Sequence, residues 1–169
     1  MTKTKKKYLL LNGPNLDMLG IREPEVYGTT TLATIEALVL ERAAELGVEV
    51  ECFQSNYEGA LVEKIHSAHT AYDGVVYNPG AHTHYSYAIR DAVGSIATPV
   101  VEVHISDVDA REPFRAVSVV APACVAQIKG HGPQGYVEAL DGLVAGWSTR
   151  LGEGYDKKTS GQVIVGGTF

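Results

Sequence analysis

Short apolar, β-rich runs alternate along this chain with segments of helical period, and that alternation constrains the fold more than any other feature. The runs fall at 8–12, 48–54, 74–78, 100–105 and 125–129. Several are nearly unbroken in apolar residues, as strands covered on both faces require. Between the first two, Leu32, Ile35, Leu38, Val39, Ala43 and Leu46 recur at helical spacing. Thr30 or Thr31 is placed to cap this helix and Gly47 to end it. Ser55-Asn56-Tyr57-Glu58 reads as a capping box opening a second helix, with Leu61, Ile65 and Ala68 on one face. Further helices are expected at 85–93 and 133–147, with a helical turn around Phe114. Strands alternating with helices imply an α/β fold with a parallel sheet and helices on both faces. For five strands the natural arrangement is the flavodoxin-like doubly wound sheet, whose ligands bind beyond the carboxyl ends of the strands.

The expected organisation is a disordered basic start at 1–7, a single catalytic domain at 8–150 and a tail at 151–169. The first strand-to-helix connection, 13–29, is about three times the usual length and reads as a lid over the site. In the tail, Gln162-Val163-Ile164-Val165 could add a strand or dock on a partner, but a flexible tail is the favoured reading. No apolar run approaches a membrane span, and the apolar stretch after Lys7 is too short for a signal peptide. Cys52 and Cys124 each lie in apolar surroundings, as reduced thiols of a cytoplasmic protein would. A net charge of −6 disfavours nucleic acid and anionic membrane as partners, since both need clustered positive charge.

Polar residues gather where such a sheet would place a ligand. The first strand ends in Asn12-Gly13-Pro14-Asn15-Leu16, and the third in Asn78-Pro79-Gly80-Ala81-His82-Thr83-His84. The fourth carries Glu102-Val103-His104-Ile105-Ser106, followed by Asp107 and by Arg111-Glu112-Pro113-Phe114-Arg115. The lid adds Arg22 and Tyr27. Each taken singly has a bland explanation, a turn-forming Asn or a satisfied core His.

Together they resemble type II 3-dehydroquinate dehydratase. The likeness rests on Asn12 to Leu16, Arg22-Glu23-Pro24 with Tyr27-Gly28, Gln54-Ser55-Asn56, Asn78 to Ala81 with Thr83-His84, Arg90-Asp91-Ala92 and Glu102 to Ser106. It runs in register over about 8–147 and includes Gly130-His131-Gly132-Pro133-Gln134-Gly135-Tyr136. The resemblance implies a flavodoxin-like, cofactor-free enzyme that converts 3-dehydroquinate to 3-dehydroshikimate in the shikimate or quinate pathway. Elimination would be anti, through an enolate. Tyr27 would take the C2 proton, with Arg22 stabilising the tyrosinate and the enolate. His104 would protonate the departing C1 hydroxyl, oriented by Glu102, and Asn15 would help hold an enolate-stabilising water. Asn78, His84, Ile105, Ser106 and Arg115 would bind substrate, and Asp91 would reach in from a neighbouring subunit. Trimers assembling into a dodecamer are implied as well.

The residue chemistry agrees with these roles. A proton α to a ketone leaves an anion that preorganised donors must hold, and hydroxide departs readily only when protonated. Tyrosine is a poor base at its usual pKa of about 10. An adjacent Arg22 at ~4 Å, with an effective dielectric near 20, offsets about 4 kcal/mol, or roughly three pKa units before desolvation.

Other chemistries fit less well. A type I dehydratase needs a buried Schiff-base lysine, yet six of the eight lysines lie in the start or tail, leaving Lys64 and Lys129. His82, His84 and His104 suggest a metal site, but without a carboxylate-rich cluster. His66 and His69 read as solvated. A flavin or nucleotide module would rest on fold alone, with no GxGxxG or Walker sequence to support it. The chain departs from the family at Asp107, where Asn is usual and an added charge could weaken binding. It departs also at Tyr85 and Tyr87, and across Ala116-Val117-Ser118-Val119-Val120, which lacks the usual His-Ser-Tyr character.

Overall fold

The computed structural model describes residues 4–21, 25, 29–107, 111–152 and 163–165. Among the described residues, five parallel strands make up most of a six-stranded sheet: β1 (Lys7–Asn12), β2 (Glu49–Gln54), β3 (Gly74–Asn78), β4 (Val100–His104) and β5 (Ala126–Lys129). Their spatial order is β2-β1-β3-β4-β5, that of a flavodoxin-like sheet. Among the described residues four α-helices cover it: α1 (Leu32–Leu46), α2 (Glu58–Ala71), α3 (Tyr87–Ser95) and α4 (Gln134–Ala145).

Side-chain alternation along each strand decides which helices pack where. Tyr8 and Leu10 of β1 join Val76, Val101, Val103 and Ile128 beneath α1 and α4, which contribute Ile35, Val39, Leu140 and Leu143. Leu9 and Leu11 join Val75, Tyr77 and Val100 beneath α2 and α3, which contribute Leu61, Ile65, Ile89 and Val93. Both faces of β1, β3, β4 and β5 are therefore dry, which is why several runs read as nearly unbroken apolar segments, while the edge strand β2 stays partly exposed. The two cysteines are free thiols on opposite sides of this sheet.

Local chemistry sets the helix ends. The Thr31 hydroxyl accepts from the Thr34 amide at 3.2 Å, and Gly47, at φ 70°, closes α1. The expected capping box at Ser55 is not formed. Ser55 Oγ accepts from the Tyr57 amide at 3.0 Å, and Tyr57 itself occupies the cap position of α2. Asn56 is turned instead toward the first loop. The helix expected from residue 85 begins at Tyr87, because Ser86 caps it by accepting from the Ile89 amide at 3.0 Å. The residues before it form a 3₁₀ turn, Gly80–His84.

Two expectations change at the margins. The described part of the 13–29 connection is not a free flap: Leu16 and Leu19 are buried in the core, around a 3₁₀ turn at Leu16–Met18. Arg22 and Tyr27 lie outside the described residues. In the tail, Val163–Val165 forms a short strand, β6, antiparallel to β5, rather than a loose end. Pairing there satisfies backbone groups on the β5 edge that would otherwise face water. Packing also continues past 150, where the Leu151 amide donates to the Cys124 carbonyl at 2.8 Å.

Gly142 of α4 lies directly under Trp147, so a Cβ there would overlap the indole ring. Gly142→Ala is expected to lower stability by about 1–3 kcal/mol through overpacking. Trp147 is the single tryptophan of the chain, so its emission should shift to the red as the ring is displaced. Urea unfolding followed by fluorescence checks both; an unchanged midpoint would show that the ring is not held there.

Candidate active site

The turns that follow β1 and β3 touch through their backbones. The Gly13 amide donates to the Asn78 carbonyl at 2.8 Å, and a Cβ on Gly13 would stand 2.6 Å from the Pro79 carbonyl oxygen. Gly80 approaches the Pro14 carbonyl from the other side, with 3.0 Å to its virtual Cβ, and its φ of +58° is one that side chains disfavour. Only glycine permits this approach on both sides. It brings the carboxyl ends of β1 and β3 together where the strand order reverses, the place at which doubly wound sheets bind ligands.

One pocket opens there. Asn15 and Leu16 enter it from the first loop, and Asn78, Ala81 and His84 from the turn after β3. His104, Ile105, Ser106, Arg111 and Arg115 close it from β4 and the segment beyond. Asn15 holds a left-handed conformation, φ 67°, and its amide donates to Asn56 Oδ1 at 2.8 Å. Asn56 is itself held by Gln54 Nε2 at 3.1 Å and donates to Asp17 at 3.2 Å. The Gln54-Ser55-Asn56 stretch thus anchors the first loop.

Glu102 and His104, two residues apart, point to the same face of β4. Glu102 has no exposed surface. Its carboxylate accepts from His104 Nε2 at 2.6 Å, from Ser118 Oγ at 3.0 Å and from the Thr83 hydroxyl. Burial by itself would raise its pKa; the hydrogen bonds and charge of His104, with Thr83 and Ser118, outweigh this and hold it below the usual carboxylate range. A carboxylate can only accept, so His104 must carry a proton on Nε2. Nδ1 is then the nitrogen left for a ligand.

His84 has the opposite assignment. Its Nδ1 lies 2.7 Å from the Val117 carbonyl and must donate to it, so Nε2 offers a lone pair. Burial, with His104 and Arg115 nearby, pushes its pKa down and keeps the ring neutral. Phe114 meets the ring edge-on at 5.6 Å, and the Arg115 guanidinium lies 4.8 Å over Phe114. Arg115 also pairs with Glu112.

Behind the pocket, the buried Tyr136 hydroxyl of α4 donates to Asn12 Oδ1 at 2.7 Å and accepts from Asn78 Nδ2 at 2.9 Å. Asp91 does not join its own chain's pocket. It is exposed on α3, beside a separate groove with Arg90, Pro122 and Arg150.

The rival chemistries meet specific geometry. His82 faces Glu58 at 3.8 Å, while His84 and His104 turn to Val117 and Glu102, so the three rings do not converge. Among the described residues no group of three or more His, Cys, Asp or Glu side chains is gathered to hold a metal. Lys64 pairs with Glu51 at 2.7 Å, and Lys129 is buried in β5 outside the pocket lining. His69, read as solvated, accepts from the Ala97 amide at 3.2 Å. Asp107 does not line the pocket but packs beside Gly130, and Tyr85 and Tyr87 are exposed outside the lining.

Comparison with known proteins places this arrangement. The model of the family described as Dehydroquinase class II matches residues 6–144. The chain belongs to that family. It is 59% identical over 138 residues to the 3-dehydroquinate dehydratase of Anoxybacillus flavithermus, covering 82% of this chain and 93% of that one. With the Bacillus cereus 3-dehydroquinate dehydratase it shares 58% over 139 residues, covering 82% and 95%. Among solved structures, the type II dehydroquinase of Butyrivibrio crossotus superposes with a TM-score of 0.81 at 48% identity, covering 83% of this chain and 99% of that one. That of Propionibacterium acnes does so with 0.81 at 45%, covering 83% and 97%.

For this class II dehydroquinase, reasoning from sequence missed three side chains. Thr83 counted toward the resemblance beside His84 but was given no role. Ser118 lies in the stretch read as lacking the family's polar character, yet it bonds both Glu102 oxygens. Tyr136 was one letter in the closing motif. A buried glutamate two residues before a histidine was the available signal, since such a carboxylate requires further donors.

Thr83→Val keeps the shape but removes a donor to the buried carboxylate. It should cost about 1–3 kcal/mol near neutral pH. Because the folded Glu102 pKa is depressed, its stabilisation exists above the ordinary value of 4.5 and is lost as pH falls through the folded value. The gap between the two proteins should therefore narrow in acid. Urea midpoints from neutral to acid pH test this, and a gap independent of pH would contradict it.

Proposed function

We propose that this chain is a 3-dehydroquinate dehydratase, removing water from 3-dehydroquinate to give 3-dehydroshikimate in the shikimate or quinate pathway. The observation that carries the proposal is the Glu102–His104 pair opening onto a pocket at the switch point of a chain in the class II dehydroquinase family. In this reading Tyr27 removes the C2 proton and Arg22 stabilises both the tyrosinate and the enolate. Asn15 helps hold the water that faces the enolate oxygen. His104 Nδ1 then delivers a proton to the C1 hydroxyl, giving water and the conjugated product. Protein groups supply every step, so no cofactor is invoked.

Substrate binding follows from the hydrogen-bond directions already described. His84 Nε2 accepts from a substrate hydroxyl, and Asn78, Ile105 and Ser106 bind neighbouring oxygens. Arg115 takes the carboxylate, favoured by its planar fork. Asp91 is exposed and lies outside its own chain's pocket, which suits a role in a neighbouring subunit's site; the assembly in this reading is trimers that build a dodecamer. A cytoplasmic location is part of the same reading, since Cys52 and Cys124 are free thiols on opposite sides of the sheet.

The direct test adds 3-dehydroquinate and follows the conjugated enone absorbance of the product; folded protein giving no change would remove the proposal. Tyr27→Phe should lower turnover by orders of magnitude and abolish exchange of the C2 proton with solvent. His104→Ala should be similarly slow yet retain some exchange, because enolate formation precedes loss of hydroxide. Arg22→Ala should move the acid limb of the pH–rate profile to higher pH, since the base loses its favourable charge. Partial rescue is expected at high pH, with Arg22→Lys intermediate. An unmoved acid limb would confine Arg22 to binding or loop closure.

A further inference from the structure

The pocket residue Asn78 has its amide fixed from behind, and the direction of every hydrogen bond there follows from one backbone group. The Gly80 amide can only donate, and it lies 3.0 Å from one atom of the Asn78 side chain, which must therefore be Oδ1. The other atom, Nδ2, is then the donor toward the Tyr136 oxygen at 2.9 Å. Tyr136 has a single proton, and it goes to Asn12 Oδ1 at 2.7 Å. Tyr136 and Asn12 have no exposed surface, and Asn78 is 3% exposed. Burial pushes the Tyr136 pKa up, so the hydroxyl keeps its proton across the working range.

We propose that Tyr136 is a positioning residue for the dehydration, holding the Asn78 amide so that its second Nδ2–H donates to a substrate oxygen. Two anchors, Gly80 on Oδ1 and Tyr136 on Nδ2, fix the plane of the amide. One anchor alone leaves it free to turn about its terminal torsion, which is broad for Asn. The arrangement is held in place although Asn12 Nδ2, itself buried, has no hydrogen-bond partner among the described residues. An unsatisfied buried donor costs about 1–3 kcal/mol. A purely structural tyrosine could be replaced by an apolar ring packed on an apolar partner without that cost. Keeping two buried amides and a phenol here makes sense if the orientation of Asn78 is what is being maintained.

This inference rests on the proposed dehydration, and the experiment separates the two. Wild-type turnover of 3-dehydroquinate is measured first; its absence in folded protein overturns the proposed function itself. Given an active wild type, Tyr136→Phe is expected to lower kcat/KM about tenfold, mainly through KM, because binding loses an aligned donor. Asn78→Ala should lose at least as much, and adding Tyr136→Phe to it should change kcat/KM no further. Gly142→Ala, destabilised at a site remote from the pocket, should keep the wild-type KM and serves as the control for lost stability. Should Tyr136→Phe not fold, the Asn12→Leu/Tyr136→Phe pair removes donor and acceptor together and carries the same expected loss. Wild-type kcat and KM in the folded Tyr136 variant would overturn the proposal. So would a tenfold effect that persists undiminished in the Asn78→Ala background, since Tyr136 would then not act through Asn78.

Discussion

A carboxylate with no access to water dictates much of the architecture around the site. Burying the charge of Glu102 unpaired would cost several kcal/mol, and removing a partner from such a group typically costs about 3–5 kcal/mol. The protein meets this with an imidazole from the same strand, a hydroxyl from the turn after β3 and a hydroxyl from the segment after Arg115. Those three come from separate stretches of chain, so satisfying one charge ties the loops of the pocket to each other. Ser118 extends the tie by accepting from the Ala121 amide at 3.0 Å. The same charge sets the tautomer of His104 and decides which of its nitrogens can serve a substrate.

The second constraint is steric. Parallel strands β1 and β3 are neighbours whose chains leave in different directions at their carboxyl ends. Their turns can lie against each other only where side chains are absent, and Gly13 and Gly80 supply that absence. With the backbones in contact, Asn12 and Asn78 fall side by side in register and on the same sheet face, both within reach of Tyr136 on α4. One face of the sheet therefore holds the Asn–Tyr–Asn relay and the other holds the Glu102 network, and the pocket lies where the two come up to the strand ends.

Much of this was legible beforehand. Strands buried on both faces and helices with one apolar stripe leave plain periodic signals, and Thr31 and Gly47 marked the ends of α1 as their chemistry requires. The polar residues at the ends of β1, β3 and β4 stood out because they interrupt apolar runs. The Ser55 cap failed as a signal since a serine hydroxyl has several local amides to choose from, and here it bonds Tyr57 rather than closing a helix. The strand at Val163–Val165 was hard to anticipate because three residues carry little periodicity and their pairing depends on an edge left open by β5. Ser118 was passed over because its neighbours are apolar, and nothing local says that it will meet a glutamate sixteen positions earlier.

By itself, then, the sequence determined the class of fold, the family and the set of polar residues near the ligand, because periodicity and short motifs are properties of adjacent residues. Tertiary structure alone decided the strand order, which nitrogen of His84 and of His104 faces the pocket, and the part played by Thr83, Ser118 and Tyr136. It also decided that Asp91 lies outside its own chain's pocket and that Asp107 turns toward Gly130. The reason is physical: a hydrogen bond has a direction only once both partners are placed. Tyr136 and Asn12, 124 residues apart, become partners only when α4 packs across the sheet.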